Sequence, residues 1–177
     1  PKGVMVSHGN LLYNLRDFYE SLDHTPDDVM VSWLPLFHDM GLIFGILYPL
    51  YLGIHTVFMA PTAFIQQPVR WLQAISRYRG THSAAPNFAY ELCLEKVSAE
   101  AHATLDLRSW RFSINGAEPV QATTVARFAT AFADCGLAAE TLAPGYGLAE
   151  ATLKVTVTQQ GSGSIMHAVN AAAFAEN

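Results

Sequence analysis

The fold is decided between residues 29 and 59, which read VMVSWLPLFHDMGLIFGILYPLYLGIHTVFM. Val29 to Trp33 is a β-branched run that predicts a strand. Met40 to Leu52 is almost entirely apolar, and we interpret it as a helix that is buried on most faces and terminated by Gly53. His55 to Met59 predicts the next strand. A strand, a buried helix and another strand in succession favour parallel pairing of the two strands.

The same alternation continues along the rest of the chain. Further helices are predicted at His8 to Leu22, Pro68 to Tyr78, Phe88 to Val97 and Gln121 to Ala133, and further strands at Thr81 to Ala84, Phe112 to Asn115, Glu140 to Leu142 and Leu153 to Val157. Ser7 is placed to cap the first helix, whose apolar face is expected to be Leu11, Leu12, Leu15, Phe18, Tyr19 and Leu22. The pattern predicts an α/β fold with a mainly parallel sheet and helices on both faces. In such sheets the ligand lies beyond the carboxyl ends of the strands.

Composition limits the classes of partner. The chain has 177 residues, of which 51% are apolar and only 14% charged, so we expect some apolar surface to meet something outside this sequence. Its 10 basic and 15 acidic residues give a net charge of −5 without a basic cluster, which argues against nucleic acid as a partner.

The cysteines and the apolar runs indicate a cellular setting. Cys93 and Cys135 form no C-x-x-C pair and fit a reducing cytoplasm, where both thiols would be small core residues. No apolar run reaches the roughly 20 residues that a membrane span needs. Because Pro1 is not an initiator Met and the last residues, 171–177, add no closing element, we expect a fragment of a longer chain.

One ionisable pair, His38 and Asp39, lies inside the long apolar stretch. A buried ionisable group costs several kcal/mol unless it is paired or hydrogen-bonded. In one interpretation the pair is structural, with Asp39 capping the helix that follows and His38 bonded to a carbonyl. In the other, His38 lies beside a reacting carboxylate and its N–H orients that group.

Three other segments carry candidate site residues. Lys2, between Pro1 and Gly3, can place an ammonium group on a phosphate, although a terminal lysine is usually only solvated. The small residues of the segment 115–119 (NGAEP) allow a flat ring to lie against the backbone, although they also suit an ordinary strand-to-helix turn.

The last of these segments is 144–152 (PGYGLAEAT). Tyr146, between Gly145 and Gly147, offers an exposed ring that can stack on a base. Glu150 is a hard oxygen ligand suited to Mg²⁺, which takes one or two carboxylates plus substrate phosphates. The alternative is a tyrosine in a glycine turn with a surface glutamate. Taken together, the four segments predict a site for ATP and a carboxylic acid.

These residues resemble a known group of enzymes. The opening segment 1–8 (PKGVMVSH) resembles the end of the phosphate loop of the adenylate-forming superfamily, and the segments 115–119 and 145–150 resemble two of its other signatures. The segments 33–42 and 146–153 are similar, more narrowly, to fatty acyl-AMP ligases. These ligases are related to the acyl-CoA synthetases, but they pass the acyl group to a carrier protein.

The resemblance implies a role for each candidate residue. Lys2 would lie near the ATP phosphates and His38 near the acyl carboxylate, as the two catalytic residues. Glu150 would bind Mg²⁺, and Ala149 stands where the superfamily often has a phosphate-binding threonine. The nucleotide-binding residues would be Gly116, Ala117 and Glu118 along the adenine slot and Gly145, Tyr146 and Gly147 on the stacking side.

The resemblance also implies an organisation and an activity. Residues 1–158 would be the central part of the AMP-binding N-terminal domain, and residues 159–177 the start of an insertion associated with poor use of coenzyme A. The expected reaction is ATP-dependent conversion of a fatty acid to acyl-AMP, for transfer to an acyl carrier protein or a polyketide synthase carrier domain. The fragment alone is expected to be inactive. An acyl-CoA synthetase, or a non-catalytic module of a larger synthase, remains the alternative.

Overall fold

A single sheet organises the computed structural model, which describes residues 3–170 and Phe174. Its strands are β1 (Val29–Ser32), β2 (His55–Phe58), β3 (His82–Ala85), β4 (Phe112–Asn115), β5 (Leu142–Gly147) and β6 (Lys154–Val157). They lie in the order β2-β1-β3-β4-β5-β6. All pairings are parallel except that of β6, which runs antiparallel to β5. This confirms the predicted α/β fold with its mainly parallel sheet.

Helices connect most of the strands. They are α1 (His8–Ser21), a π-helix (Met40–Leu47), α2 (Tyr48–Leu52), α3 (Pro61–Gln66), α4 (Val69–Tyr78), α5 (Asn87–Lys96), α6 (Ala99–His102) and α7 (Ala122–Ala131). Short 3₁₀ segments cover Ala133–Cys135, Ala139–Thr141 and Ala149–Ala151. Every residue of β3 and β4 is buried. Since successive side chains of a strand point to opposite faces, both faces of the sheet are covered there.

Helix α1 begins as predicted, with a capping box at Ser7. The Ser7 hydroxyl accepts a hydrogen bond from the Asn10 N–H (3.1 Å), and the Asn10 side chain accepts one from the Ser7 N–H (2.9 Å). The predicted apolar face was too wide, because Leu12 and Tyr19 are 56% and 52% exposed. Only the stripe that packs on the rest of the fold is buried, and it contains Leu15, Phe18 and Leu22.

The segment predicted as one buried helix is a π-helix followed by α2. Gly53, at φ 70°, ends α2 as predicted. Two glycines allow the π-helix to lie directly against the end of β1. A Cβ at Gly41 would lie 2.2 Å from the Pro35 carbonyl oxygen, and one at Gly45 would lie 2.9 Å from Ser32 Oγ. π-Helices are rare and occur frequently at functional sites.

Several predicted boundaries were wrong. Residues 61–66 form α3 rather than a loop, and Arg79 (φ 53°), not Gly80, takes the left-handed position that closes α4. The predicted strand at 140–142 is mostly a 3₁₀ turn. Strand β5 begins at its last residue and extends through Gly147, because pairing with β4 and β6 on its two sides stabilises a sequence of low strand propensity.

The main core contains an aromatic cluster centred on Trp71. Its ring meets those of Trp33, Phe64, Tyr90 and Trp110 edge-on, with centroids 5.2–6.2 Å apart. The Trp71 indole N–H donates to Ser83 Oγ (3.0 Å), and this hydroxyl donates to the Val31 carbonyl (2.6 Å). This chain of contacts fixes α4 on β3 and β1.

Two further expectations concern the setting of the chain. Among residues 3–170, no helix has the length and the apolar character that crossing a membrane requires. Cys93 and Cys135 are buried free thiols, as predicted for core residues. Burial raises the pKa of each thiol, so both stay protonated and pack as small apolar groups.

Candidate functional site

A cleft at the carboxyl ends of β4 and β5 brings together six of the predicted site residues. We call it the central cleft. Its predicted members are His38 from the segment after β1, Gly116 and Ala117 after β4, and Gly145, Tyr146 and Gly147 on β5. The other lining residues are Phe18, Asp39, Met40, Ile114, Leu153, Lys154, Thr156 and Val157. Residues far apart in sequence therefore meet at one edge of the sheet, where the ligands of parallel sheets are found.

Tyr146 offers the exposed ring that was expected, but from a strand rather than a turn. It is 61% exposed. The glycines beside it are required by close packing: a Cβ at Gly145 would lie 2.8 Å from Ile114 Cγ2, and one at Gly147 would lie 2.1 Å from the Leu153 carbonyl oxygen. The glycines let β5 pack tightly, while the ring of Tyr146 stays open to a flat ligand.

The opposite wall of the cleft is backbone. Ala117 has φ 65°, a conformation that costs energy for any residue with a Cβ and that clusters at functional sites. A Cβ at Gly116 would lie 2.7 Å from the Gly145 carbonyl oxygen. Gly116 and Ala117 thus form a surface next to β5 that is mostly backbone, with little side-chain bulk.

This loop is fixed from behind by Asn87, a residue that the sequence reasoning missed. The Asn87 side-chain oxygen accepts hydrogen bonds from the Gln121 N–H (3.0 Å) and from the Asn115 amide (3.3 Å). Asn87 is buried and its own amide donates to Thr124 Oγ1 (3.1 Å). The signal in the sequence is an Asn directly after Pro86 at a helix start, which by itself is too common to single out.

Glu118 does not line the central cleft. Its Oε1 accepts a hydrogen bond from the Phe88 N–H (2.6 Å), in the first turn of α5. That turn has no side-chain cap of its own, because Pro86 occupies the N-cap position. The carboxylate of Glu118 is therefore directed to α5, whereas the resemblance had placed it along the adenine slot.

The His38–Asp39 pair is less buried than its apolar surroundings predicted, with the two side chains 46% and 23% exposed. The flanking residues Leu36 and Phe37 are themselves exposed, so the pair lies at the surface of the cleft. Asp39 Oδ1 accepts a hydrogen bond from the Met40 N–H (2.7 Å), which confirms it as a helix cap.

The ring of His38 is held through one nitrogen. Its Nδ1 lies 2.9 Å from Asp39 Oδ1 and 3.2 Å from the Met40 N–H. The bond to a backbone carbonyl that the structural interpretation required is not found among the hydrogen bonds of the described residues. Nε2 has no partner within the same part of the chain, so it is the nitrogen available to a ligand in the cleft.

Glu150 lines a second groove next to the central cleft, which we call the phosphate groove for the role proposed below. Its other walls are Val4, Met5, Val6, Asn10, Tyr13, Asn14, Asp17, Ala151, Thr152, Lys154 and Val155. Lys154 lines both cavities. Lys2 lies outside the described residues, but the segment that follows it forms one wall of this groove.

The phosphate groove contains one carboxylate that suits a metal ion. Asp17 Oδ2 is paired with Lys154 Nζ at 2.9 Å, whereas Glu150 is exposed and has no partner among the residues described. A single free carboxylate fits Mg²⁺, whose remaining ligands are usually substrate phosphates and water. Thr152, two residues after Glu150, has φ 74°, a positive φ that a residue with a side chain rarely adopts.

A separate polar cluster lies at the amino ends of the strands. Asp28 is 1% exposed and accepts hydrogen bonds from Thr25, His24 and Arg111. Its Oδ2 also lies 3.8 Å from His82 Nδ1. Although burial opposes its ionisation, the charges and hydrogen bonds of its neighbours hold the pKa of Asp28 below its usual value. Both carboxylate oxygens are already engaged, which makes this a structural ion pair rather than a metal site.

The chain matches the family described as AMP-binding enzyme over residues 1–172. It is 48% identical over 177 residues to the medium-chain-fatty-acid–acyl-carrier-protein ligase JamA of Moorena producens, and 51% identical over 156 residues, or 88% of this chain, to the corresponding ligase TtuA of Teredinibacter turnerae. The matched regions are 30% and 24% of the lengths of these two relatives, so the chain spans less than a third of either protein.

Solved structures show the same likeness. A fatty acid AMP ligase from Legionella pneumophila aligns with a TM-score of 0.90 and 48% identity, over 92% of this chain and 28% of that one. A fatty acyl-adenylate ligase of that organism, in complex with acyl adenylate and pyrophosphate, aligns equally well over 92% of this chain and 29% of its own. Since the family match covers nearly the whole sequence and the fold agrees, this chain belongs to the family of AMP-binding enzymes.

Proposed function

We propose that the full-length protein converts a fatty acid and ATP into acyl-AMP and pyrophosphate and passes the acyl group to an acyl carrier protein. The observation that carries this proposal is the central cleft, in which Tyr146, Gly116, Ala117 and His38 meet beside the phosphate groove. The names of JamA and TtuA, and the acyl adenylate and pyrophosphate in the Legionella pneumophila structure, support this assignment.

In this proposal the adenine ring lies between Tyr146 and the backbone of Gly116 and Ala117. An exposed aromatic ring stacked on a base contributes about 1–3 kcal/mol in other nucleotide sites. The low wall formed by Gly116 and Ala117 leaves room for the second face of the base. Gly145 and Gly147 serve this arrangement indirectly, because they hold β5 at the distance that presents the ring.

The acyl carboxylate would lie near His38. Its oxygen attacks the α-phosphorus of ATP and expels pyrophosphate, a reaction in which catalysis is mainly positioning and neutralisation of charge. With Nδ1 accepting a hydrogen bond from the Met40 N–H, the Nε2–H of His38 is free to donate to an anionic group in the cleft. His38 would thereby orient the carboxylate and stabilise the negative charge around it.

The β- and γ-phosphates would lie in the phosphate groove. Glu150 would hold Mg²⁺ there, and when bound the ion would neutralise charge on the phosphates. Lys2 is proposed to contribute a second cation from the segment that leads into this groove. Ala149 supplies no hydroxyl, so the backbone of residues 149–152 would face the phosphates in place of a threonine side chain.

The organisation and the setting of the protein form part of the same proposal. Residues 1–158 would be the central part of the AMP-binding domain, and residues 159–177 would begin the insertion that disfavours coenzyme A as acceptor. Residues 158–164 run back along β5, where Thr158 N–H donates to the Pro144 carbonyl (3.0 Å) and Ser164 Oγ to the Leu142 carbonyl (3.4 Å). The acceptor would be an acyl carrier protein or a polyketide synthase carrier domain in the cytoplasm.

Product analysis of the full-length protein tests this proposal. The protein is incubated with fatty acid, ATP and Mg²⁺, alone or with coenzyme A or a phosphopantetheinylated carrier protein, and the products are identified by mass spectrometry. We expect acyl-AMP in every mixture and acyl-carrier protein in the last. Acyl-CoA as the main product would instead identify an acyl-CoA synthetase, and failure to bind ATP would identify a non-catalytic module.

His38 is tested in the same assay. Replacing His38 with Ala should slow acyl-AMP formation while adenosine still binds, because the ring acts on the carboxylate rather than on the base. An unchanged rate would contradict its proposed role.

A further inference from the structure

Lys154 lies at the junction of the central cleft and the phosphate groove with its side chain only 6% exposed. Its Nζ contacts Asp17 Oδ2 (2.9 Å), the Asp17 carbonyl oxygen (2.9 Å) and Ser21 Oγ (2.5 Å). An ammonium group has three N–H donors and no acceptor. These three contacts use all of its donors, so Lys154 cannot bind a phosphate while they persist.

The main chain of Lys154 is held as firmly as its side chain. Its N–H donates to Asn14 Oδ1 and its carbonyl accepts from Asn14 Nδ2, each at 3.1 Å. Strand β6 is the outer strand of the sheet, so its free backbone groups need partners elsewhere. The buried side chain of Asn14 meets this need as a neighbouring strand would, and thereby attaches the start of β6 to the middle of α1.

Helix α1 receives, near its C-terminal end, a positive charge that its own last turn lacks. No basic residue lies in its last turn. The Lys154 ammonium group takes that place from β6, next to the Asp17 carbonyl and 5.1 Å from the centre of the Phe18 ring. A cation near the C-terminal end of a helix interacts favourably with the helix dipole. We call the four residues Asn14, Asp17, Ser21 and Lys154 the α1–β6 clamp.

The clamp joins the two walls of the phosphate groove. One wall is α1 with the segment before it, which includes Val4, Met5 and Val6, and the other begins at Glu150, four residues before Lys154. Between Glu150 and Lys154 the backbone passes through Thr152, whose φ of 74° is a strained conformation that persists only if its surroundings enforce it. The contacts of Lys154 therefore set the distance between Glu150 and the opposite wall.

We propose that Lys154 is a positioning residue, which holds the phosphate groove at the width that a nucleotide polyphosphate requires without contacting the nucleotide. This inference rests on the proposed function. It predicts that loss of the clamp weakens binding of the phosphates more than binding of the adenine ring, because the hydrogen bonds of the clamp join α1 to Lys154 and none of them involves Tyr146, Gly116 or Ala117.

The test compares ATP with adenosine in the full-length protein by isothermal titration calorimetry, both with Mg²⁺ and with a chelator. Lys154→Met keeps the length of the side chain and removes its charge, while Asn14→Ala acts on the backbone contacts of the same joint. The matched control is Arg16→Met, which removes an exposed ion pair with Glu20 from the same helix. We expect both clamp variants to lose about ten-fold in ATP affinity, a loss of the size found when the outer-shell support of a metal ligand is removed. Adenosine affinity should fall less, and the control should alter neither.

Two results would overturn the inference. Unchanged ATP affinity in both clamp variants would show that the groove keeps its width without the clamp contacts. Equal losses of affinity for ATP and adenosine would show that the clamp only supports the fold in general. If Lys154→Met does not fold, Asn14→Ala alone decides between these outcomes. The wild-type protein separates this inference from the proposed function. If it forms no acyl-AMP, the proposed function is rejected. If it forms acyl-AMP but the clamp variants bind ATP as tightly as the wild type, only the role of the clamp is rejected.

Discussion

Glu118 provides a sharp test of how the structure builds the loop beside the cleft. The first turn of α5 lacks a cap from its own segment, and Glu118 supplies one from the loop after β4 through its 2.6 Å contact with the Phe88 N–H. The same contact fixes the residue next to Ala117, whose φ of 65° needs support from its surroundings. Replacing Glu118 with Ala removes both effects.

The free energy lost in Glu118→Ala can be estimated from the hydrogen bond between Glu118 and the Phe88 N–H. Loss of a capping side chain costs about 0.5–2 kcal/mol. Hydrogen bonds to charged groups contribute about 1.5–3 kcal/mol, and this one is exposed, which places the expected loss near 1 kcal/mol. A local loss of about 1 kcal/mol makes opening of the first turn of α5 about five-fold more frequent. Glu118→Gln keeps an acceptor and should show a smaller change.

Hydrogen exchange of the full-length protein, followed by mass spectrometry, measures this directly. The peptide that contains Phe88 should exchange about five-fold faster in Glu118→Ala, by the same arithmetic. Glu95→Ala, a change at an exposed position of the same helix, should leave it unaltered. If exchange at Phe88 stays the same in Glu118→Ala while adenosine affinity falls, the carboxylate serves the ligand rather than α5, and the account of this loop is wrong.

Three further predictions concern the cleft and the stability of the fold. Tyr146→Ala should weaken adenosine binding by about 1–3 kcal/mol in calorimetry, whereas Tyr146→Phe should retain it, because stacking needs only the ring. Gly147→Ala should lower the denaturant midpoint, since its Cβ would lie 2.1 Å from a carbonyl oxygen of the adjoining segment; an unchanged midpoint would contradict the tight packing of β5 on β6. Burial lowers the pKa of His82 to about 4, below the ordinary value near 6.5 in the unfolded chain, so its contribution to stability is complete above pH 6.5 and is lost as the pH falls towards 4. The unfolding free energy should fall by up to about 1.4 kcal/mol per pH unit in this range, and His82→Gln, but not His55→Gln at the exposed end of β2, should flatten the slope.

The strands that were predicted correctly owe their location to local patterns. Phe112–Asn115 was predicted without error because it is a short run that is buried on both faces. Strand β5 was mostly missed because Pro144, Gly145 and Gly147 have low strand propensity, and only the neighbouring strands make it extended. The π-helix was likewise hidden, since it depends on how closely Gly41 approaches Pro35 in space.

Some residues of the candidate site could be predicted from the sequence, and others could not. The sequence predicted that His38, Gly116, Ala117 and Tyr146 follow three different strands, and the rule that parallel strands end at one edge brought them together, although Tyr146 lies within β5 rather than after it. The direction of the Glu118 side chain could not be predicted, because it depends on an uncapped helix end that is near in space and distant in sequence. Lys154 was overlooked for the same reason, since its partners lie 133–140 residues away.

A crystal structure of the full-length protein with an acyl-adenylate analogue tests the central claim most directly. An acyl sulfamate of adenosine, in which a sulfamate replaces the phosphate, suits this purpose because it does not hydrolyse. The adenine ring should lie between Tyr146 and the backbone of Gly116 and Ala117, with the acyl carbonyl near His38 Nε2. An analogue bound away from these residues would contradict the assignment of the central cleft as the adenylate site.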